Sequence, residues 1–155
     1  MNEDMIREIV KKVLAETNNS GAGASSAGSA PAAGRAPERV VDPSGIISIK
    51  GSTVELEPFE GREDVRLKDL ASVAEAPRIG CGLMELRDRA DFEWTLSYDE
   101  WDVILEGRLE IVIDGRTVGG SAGDAIYIPK GSHIHFTTPY YARFAYVVYP
   151  ADWAG

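Results

Sequence analysis

Two carboxylates stand two residues apart at Glu100 and Asp102, with a phenol two residues ahead of them at Tyr98. Side chains alternate between faces along an extended strand, so Glu100 and Asp102 project to the same side. Three chemistries suit the group. The carboxylates could hold Mg²⁺ on a nucleotide, because that ion commonly takes one or two carboxylates and completes its shell with waters and phosphates. They could share a proton and work as an acid and base pair. They could instead form a structural network with Arg143 in which each group satisfies the others. Arg143 also has the planar fork suited to an anionic ligand, against the alternative of a structural salt bridge. Lys130-Gly131-Ser132 has residue types able to touch a phosphate. No glycine-rich loop ending in Gly-Lys-Ser or Gly-Lys-Thr opens a helix, so a P-loop is absent. Trp94 and Tyr127 are the aromatic residues best suited to line a pocket, while Trp101, Phe136 and Tyr146 read as core. The candidate catalytic residues are therefore Glu100, Asp102 and Tyr98, and the candidate substrate-binding residues are Arg143, Lys130, Trp94 and Tyr127.

These residues fall in the last of three compositional zones. In residues 1–17 the apolar side chains Ile6, Ile9, Val10, Val13 and Leu14 recur every three to four positions, the stripe of an amphipathic helix, with Glu3 and Asp4 in its first turn. Residues 18–39 are mostly Ala, Gly, Ser, Asn and Pro, which cannot bury enough apolar surface to offset the entropy of ordering, and they read as a flexible linker. Residues 40–155 carry short runs of β-branched and aromatic residues broken by Gly, Pro and Asp. Strands are expected at 45–49, 53–58, 65–69, 79–86, 93–97, 100–106, 108–113, 116–119, 125–128, 133–137 and 142–148. Asp114-Gly115 is a preferred pair for a tight hairpin between two of them. So many evenly spaced strands, with no second helical pattern, predict an all-β sandwich or small barrel.

The 155 residues leave room for one ordinary domain. Sixteen Lys and Arg against 25 Asp and Glu give a net charge of −9, which disfavours nucleic acid and anionic membrane as partners. No run of about 18 apolar residues could span a bilayer. The charged N-terminus lacks the clean apolar stretch of a secretory signal, so a cytoplasmic location is expected. The lone Cys81 has no second thiol to pair with and reads as packing.

Two segments carry a recognisable spacing. Glu100 is followed by six residues and Gly107, and Gly123 by five residues and Pro129-Lys130-Gly131. This pair resembles the two motifs of the cupin superfamily, whose fold is a jelly-roll barrel with a pocket between its sheets, and the resemblance places Glu100 and Asp102 on the interior face. Gly107 and Gly131 are expected at tight turns between strands. Metal-binding cupins carry histidines at the positions occupied here by Trp94, Leu96 and Ile134. The resemblance therefore implies that no transition metal is held, because Glu100 alone cannot supply the donors such an ion needs. His133 and His135 flank Ile134, and alternation sends both to the opposite face unless the register slips by one residue.

Within the superfamily, residues 92–153 are similar to the ethanolamine utilization protein EutQ family. The similarity is carried by Trp94 through Glu100, then Asp102, Leu105-Glu106-Gly107, Ala122-Gly123-Asp124, Ile128 through Ser132, Thr138-Pro139, Arg143-Phe144 and Pro150 through Trp153. It implies association with a bacterial microcompartment and an acetate kinase activity that uses ATP. Longer members carry a further N-terminal region in place of this helix and linker. A helix on such a tether resembles the peptides that load cargo into microcompartments, its stripe docking on a shell or cargo protein, the alternative being docking on its own barrel or on a second copy. A homodimer covering an exposed sheet edge is also expected. The competing functional reading is a non-catalytic binding or assembly module that links cargo to the shell.

Overall fold

The computed structural model describes residues 34–152. The helix expected at 1–17, with Ile6, Ile9, Val10, Val13 and Leu14, and the linker to residue 33 lie outside the described residues. Residues 35 and 38 are tied to the segment ahead of the barrel. The Arg35 N–H donates to Glu55 Oε2 at 3.2 Å and the Glu38 N–H to Thr53 Oγ1 at 2.9 Å.

Strands β1 (Arg39–Val41) and β2 (Ile47–Ile49) form a hairpin of their own. The barrel follows as β3 (Glu57–Phe59), β4 (Arg62–Asp69), β5 (Gly80–Arg87), β6 (Asp91–Thr95), β7 (Asp99–Ile113), β8 (Arg116–Ser121), β9 (Ala125–Ile128), β10 (His133–Thr137) and β11 (Tyr141–Tyr149). Its strands run in the order β3-β4-β5-β11-β7-β10-β6, with β8 and β9 also on β7, and all its ladders are antiparallel. The described chain adopts the all-β architecture expected from the strand pattern and the jelly-roll barrel that the cupin resemblance implies. No helix among the described residues is long and apolar enough to cross a membrane.

Strand β7 belongs to both sheets. Its first half pairs with β11 and β9, its second half with β8 and β10. Gly107 sits within it, where the expected turn between two strands is instead a kink in one continuous strand. Its φ is 71°, and the β11 register slips beside it between Arg143 and Phe144. A bulge there adds twist and lets one strand leave one sheet and enter the other. The Asp114-Gly115 hairpin has positive φ at both residues, 48° and 73°, as its sequence predicted.

Alternation along β11 buries Ala142, Phe144, Tyr146 and Val148 in one core with Leu86, Ile104 and Leu109 of its neighbours β5 and β7. Each fully buried large aliphatic or aromatic side chain contributes about 1.5–3 kcal/mol. A second, smaller cluster of Val54, Leu56 and Leu83 lies apart from this core.

Gly107→Ala tests the kink. A Cβ there would meet the Tyr141 carbonyl oxygen at 2.1 Å in a conformation L-residues rarely adopt. Urea unfolding is expected to show a loss of about 1–3 kcal/mol from backbone strain alone, and more once the clash is included. A variant as stable as the parent would mean the bulge is not needed to close the barrel.

Candidate functional site

Between the sheets lies a cavity of about 60 Å³. Its walls are aromatic: Phe92 stacks on Trp94 at 5.5 Å between ring centroids and meets Phe59 edge-on at the same distance. Four polar groups reach it, Asp69, Tyr98, Glu100 and Tyr146.

Strand β7 delivers Glu100 through the inward alternation Glu100, Asp102, Ile104. Glu100 is 5% exposed and lines the cavity, whereas Asp102 is fully buried behind it. Desolvation pushes the Glu100 carboxyl up to about 7, partly countered by hydrogen bonds from Asp102 and Tyr98. Asp102 is raised well above the carboxylate range, first by burial and then by the charge of Glu100. Neither Asp102 oxygen has a hydrogen-bond donor. Two bare carboxylates could not stay adjacent in such surroundings, so the pair holds a proton, and Asp102 carries it as an O–H directed to Glu100.

Tyr98 is buried beside this pair, and the Trp94 indole N–H donates to its hydroxyl oxygen at 3.0 Å. Burial and the Glu100 charge raise the phenol, so it stays protonated as a donor.

Sequence reasoning missed Asp69. It ends the inward series Val65, Leu67, Asp69 on β4, the same period-two pattern that exposed Glu100, but at a strand end where a charged residue reads as solvent-facing. The residue is exposed overall, yet its carboxyl turns into the cavity. Desolvation raises it, and the Tyr146 hydroxyl donates to Oδ1 at 2.7 Å. Tyr146, buried in the core as expected, is also a wall of the site. Gly82 makes room for it, since a Cβ at that position would lie 2.0 Å from the phenol oxygen.

Three expected ligand residues are elsewhere. Arg143 alternates to the opposite face of β11 from Phe144 and Tyr146, and it sits in register with Glu85 and Glu106. The anticipated network of Arg143 with Glu100 and Asp102 therefore does not form. Tyr127 lies between the buried Ile126 and Ile128, so it projects outward, stacks near Trp101 at 5.3 Å and donates to Asp99 Oδ1 at 3.0 Å. The Lys130 N–H donates to the same Asp99 oxygen at 2.8 Å, and its side chain is exposed. Trp101, expected in the core, is 51% exposed.

The positions where related barrels carry histidines hold Trp94 on the cavity wall and Leu96 and Ile134 in the core, each of the last two 1% exposed. With Ile134 inward, His133 and His135 face outward. His133 Nε2 meets Glu93 at 2.9 Å and His135 Nδ1 meets Asp91 at 2.6 Å.

The family profile described as "Ethanolamine utilisation protein EutQ" matches residues 1–155. A protein named "Acetate kinase EutQ" from Clostridioides difficile is 51% identical over 119 residues, covering 73% of this chain and 75% of its own. Its namesake from Salmonella typhimurium is 37% identical over 153 residues, 97% of this chain but 63% of its own, so the present chain spans under two thirds of that longer relative. The solved Clostridium difficile EutQ structure superposes with a TM-score of 0.71 at 50% identity over 76% of this chain and 90% of that one. The cupin domain of Schizosaccharomyces pombe Cnp3 shares the fold alone, at 15% identity, with a TM-score of 0.56 over 74% of this chain and 86% of that one.

Beyond the proton that Asp102 holds, Glu100 takes up one of its own near neutrality, and this makes stability pH-dependent in a definite direction. Glu100 binds its proton more tightly folded than unfolded, so its contribution is fully present below the ordinary glutamate range and is lost as pH rises through about 7. Thermal melts between these limits are expected to show stability falling with pH, by up to about 1.4 kcal/mol per pH unit for one proton. Glu100→Gln should flatten that slope. A slope unchanged in the variant would place the proton elsewhere.

Proposed function

The chain belongs to the EutQ family of ethanolamine utilisation proteins, and from that membership we propose that it is an acetate kinase whose chemistry is housed at the Glu100 cavity. An acetate oxygen bonds to the terminal phosphorus of ATP as the bond from that phosphorus to the bridging oxygen breaks, giving acetyl phosphate and ADP. The observation that carries the reading is the cavity itself, which is walled by aromatic rings, sized for a few heavy atoms and lined by the carboxyls of Glu100 and Asp69. Ordinary ligand pockets run to about 300–1,000 Å³. A two-carbon acid matches the smaller space, and the body of a nucleotide remains outside it.

Glu100 and Asp69 fit Mg²⁺ in donor type and number, since that ion takes one or two carboxylates from protein and the rest from water and phosphate. When bound, the ion supplies positive charge against the phosphate oxygens. The remaining work falls to side chains. Tyr98 and Asp102 donate to Glu100 and fix its orientation, Tyr146 holds Asp69, and the rings exclude water and so strengthen every charge interaction inside.

A second reading is a non-catalytic module that joins cargo to a microcompartment shell. It is favoured by the outward apolar stripe of Trp101, Val103 and Leu105, respectively 51%, 40% and 47% exposed, which also supports a homodimer packed through this face. In both readings residues 1–17 direct the protein into the microcompartment.

Trapping acetyl phosphate as its hydroxamate tests the first reading. Turnover should require Mg²⁺ and rise with pH through about 7, because a metal ligand must lose its proton. Glu100→Gln should cost about 10²-fold or more. Full activity in the Glu100→Gln, Asp102→Asn double variant would remove the chemistry from this cavity. Deleting residues 1–17 should leave turnover intact and abolish encapsulation, as followed with a fluorescent fusion. Diffuse distribution of both forms would remove the targeting role.

A further inference from the structure

The charge of the cavity conflicts with its being a site for a bare anion. Asp69 and Glu100 line it, and none of its lining residues is basic. The cations nearby are engaged outside. Arg62 pairs with Asp64 at 2.6 Å and lies over the Phe92 ring, 5.8 Å from its centroid, while Lys68, which influences Asp69, pairs with Glu57 at 2.5 Å. Behind Glu100, Asp102 is fully buried with both oxygens unpartnered by any donor. Acetate entering this space unaccompanied meets carboxyl groups at close range in a low dielectric.

Aromatic faces and carboxylates together are a recognition set for a cation. Ring quadrupoles attract ammonium groups, most strongly on tryptophan and when the charge is desolvated. Phe92 already carries one such contact, from Arg62. Trp94, Phe92 and Phe59 supply the walls, and Glu100, Asp69 and the Tyr98 hydroxyl supply acceptors for N–H groups. The volume of about 60 Å³ limits the guest to a few heavy atoms.

We propose that in the absence of Mg²⁺ the cavity binds a short primary ammonium ion, held by Glu100 and Asp69 against the Trp94 and Phe92 rings. Such a ligand takes the place the metal would occupy, so the amine and Mg²⁺ exclude one another. The inference rests on the cavity described above and not on phosphoryl transfer. In a phosphotransferase it makes the amine an inhibitor competitive with Mg²⁺, and in a silent module it makes the amine the ligand.

The probe is ethylammonium chloride in magnesium-free buffer at about pH 8, where an alkylammonium stays protonated. It is titrated into the full chain while the Trp94 indole N–H resonance, identified by its loss in Trp94→Phe, is followed by NMR. Ethylammonium should shift that resonance saturably, and added Mg²⁺ should reverse the shift. Ethanol, its neutral counterpart of equal heavy-atom count, and sodium acetate should leave it in place. Glu100→Gln and Asp69→Asn should each weaken binding by about tenfold or more, the equivalent of 1.4 kcal/mol. Asp69 stands at a strand end, so Asp69→Asn carries the test if Glu100→Gln does not fold. Equal shifts from ethanol and ethylammonium, a shift unchanged in the folded variants, or no saturable shift at all would overturn the proposal. Acetate turnover measured on the same preparation keeps the two readings separate, since turnover without ammonium binding defeats only this inference and ammonium binding without turnover defeats only the kinase.

Discussion

The interaction on which the rest of this structure turns is the buried contact between Glu100 and Asp102. Two acids on one strand face, one fully buried and the other nearly so, would each lose several kcal/mol on leaving water as ions. Among the described residues no guanidinium or ammonium pairs with them, and the candidate counter-charge, Arg143, stands on the far side of β11. A proton is the remaining remedy. It converts a repulsive pair into a hydrogen bond and satisfies the Asp102 carboxyl that otherwise lacks a donor. Tyr98 and Trp94 then continue the chain of donors outward from Glu100. The cavity is the outer end of this network, and its apolar walls are the rings of Phe59, Phe92, Trp94 and Phe136 with Leu67, Met84 and Val148.

That network depends on a single strand staying continuous. β7 carries Glu100 and Asp102 in the half that pairs with β11 and β9, and Leu109 and Ile111 in the half that pairs with β8 and β10. Between them Gly107 absorbs the change of direction. A stop and restart at this point would let the first half slide relative to β11, and a slip of one residue would turn both carboxyls outward and bring Trp101 and Val103 in. The bulge therefore fixes the register that keeps the acids inside.

How much of this was readable in the sequence follows from what alternation can and cannot say. Period two placed Glu100 and Asp102 together, and the resemblance of the Gly107, Gly123 and Gly131 spacing to the cupin motifs implied the barrel and its inward face. The same rule, applied to Ile126-Tyr127-Ile128 and to Ala142 through Val148, already turns Tyr127 and Arg143 outward. Those residues were chosen for their chemistry and not for their place in the pattern. Asp69 is the opposite case. Its strand pattern was present, but a carboxylate following Lys68 at a strand end looks like surface, and only the β4–β5 pairing, which seats Asp69 opposite Gly82 and next to Tyr146, turns its carboxyl inward. Gly107 misled for a related reason, because a positive φ serves a turn and a bulge equally and only the partner strand's register tells them apart.

The apolar replacements and the shared proton are one physical fact seen twice. Where a barrel of this type presents histidines toward Glu100, ligand and metal charges stabilise it as a carboxylate. Here Leu96 and Ile134 present hydrocarbon at two of those positions and Trp94 an indole at the third. Hydrocarbon offers neither charge nor hydrogen bond, so burial is only partly offset by the hydrogen bonds from Asp102 and Tyr98 and moves the Glu100 proton affinity up to about 7. A carboxyl poised there is anionic or neutral according to what approaches it. A cation draws off the proton and binds the anion, and with no cation the pair keeps its proton and the barrel keeps its stability. With Trp94, Leu96 and Ile134 at these positions Glu100 is a proton-linked ligand, and any ligand of this cavity must displace or tolerate that proton on entry.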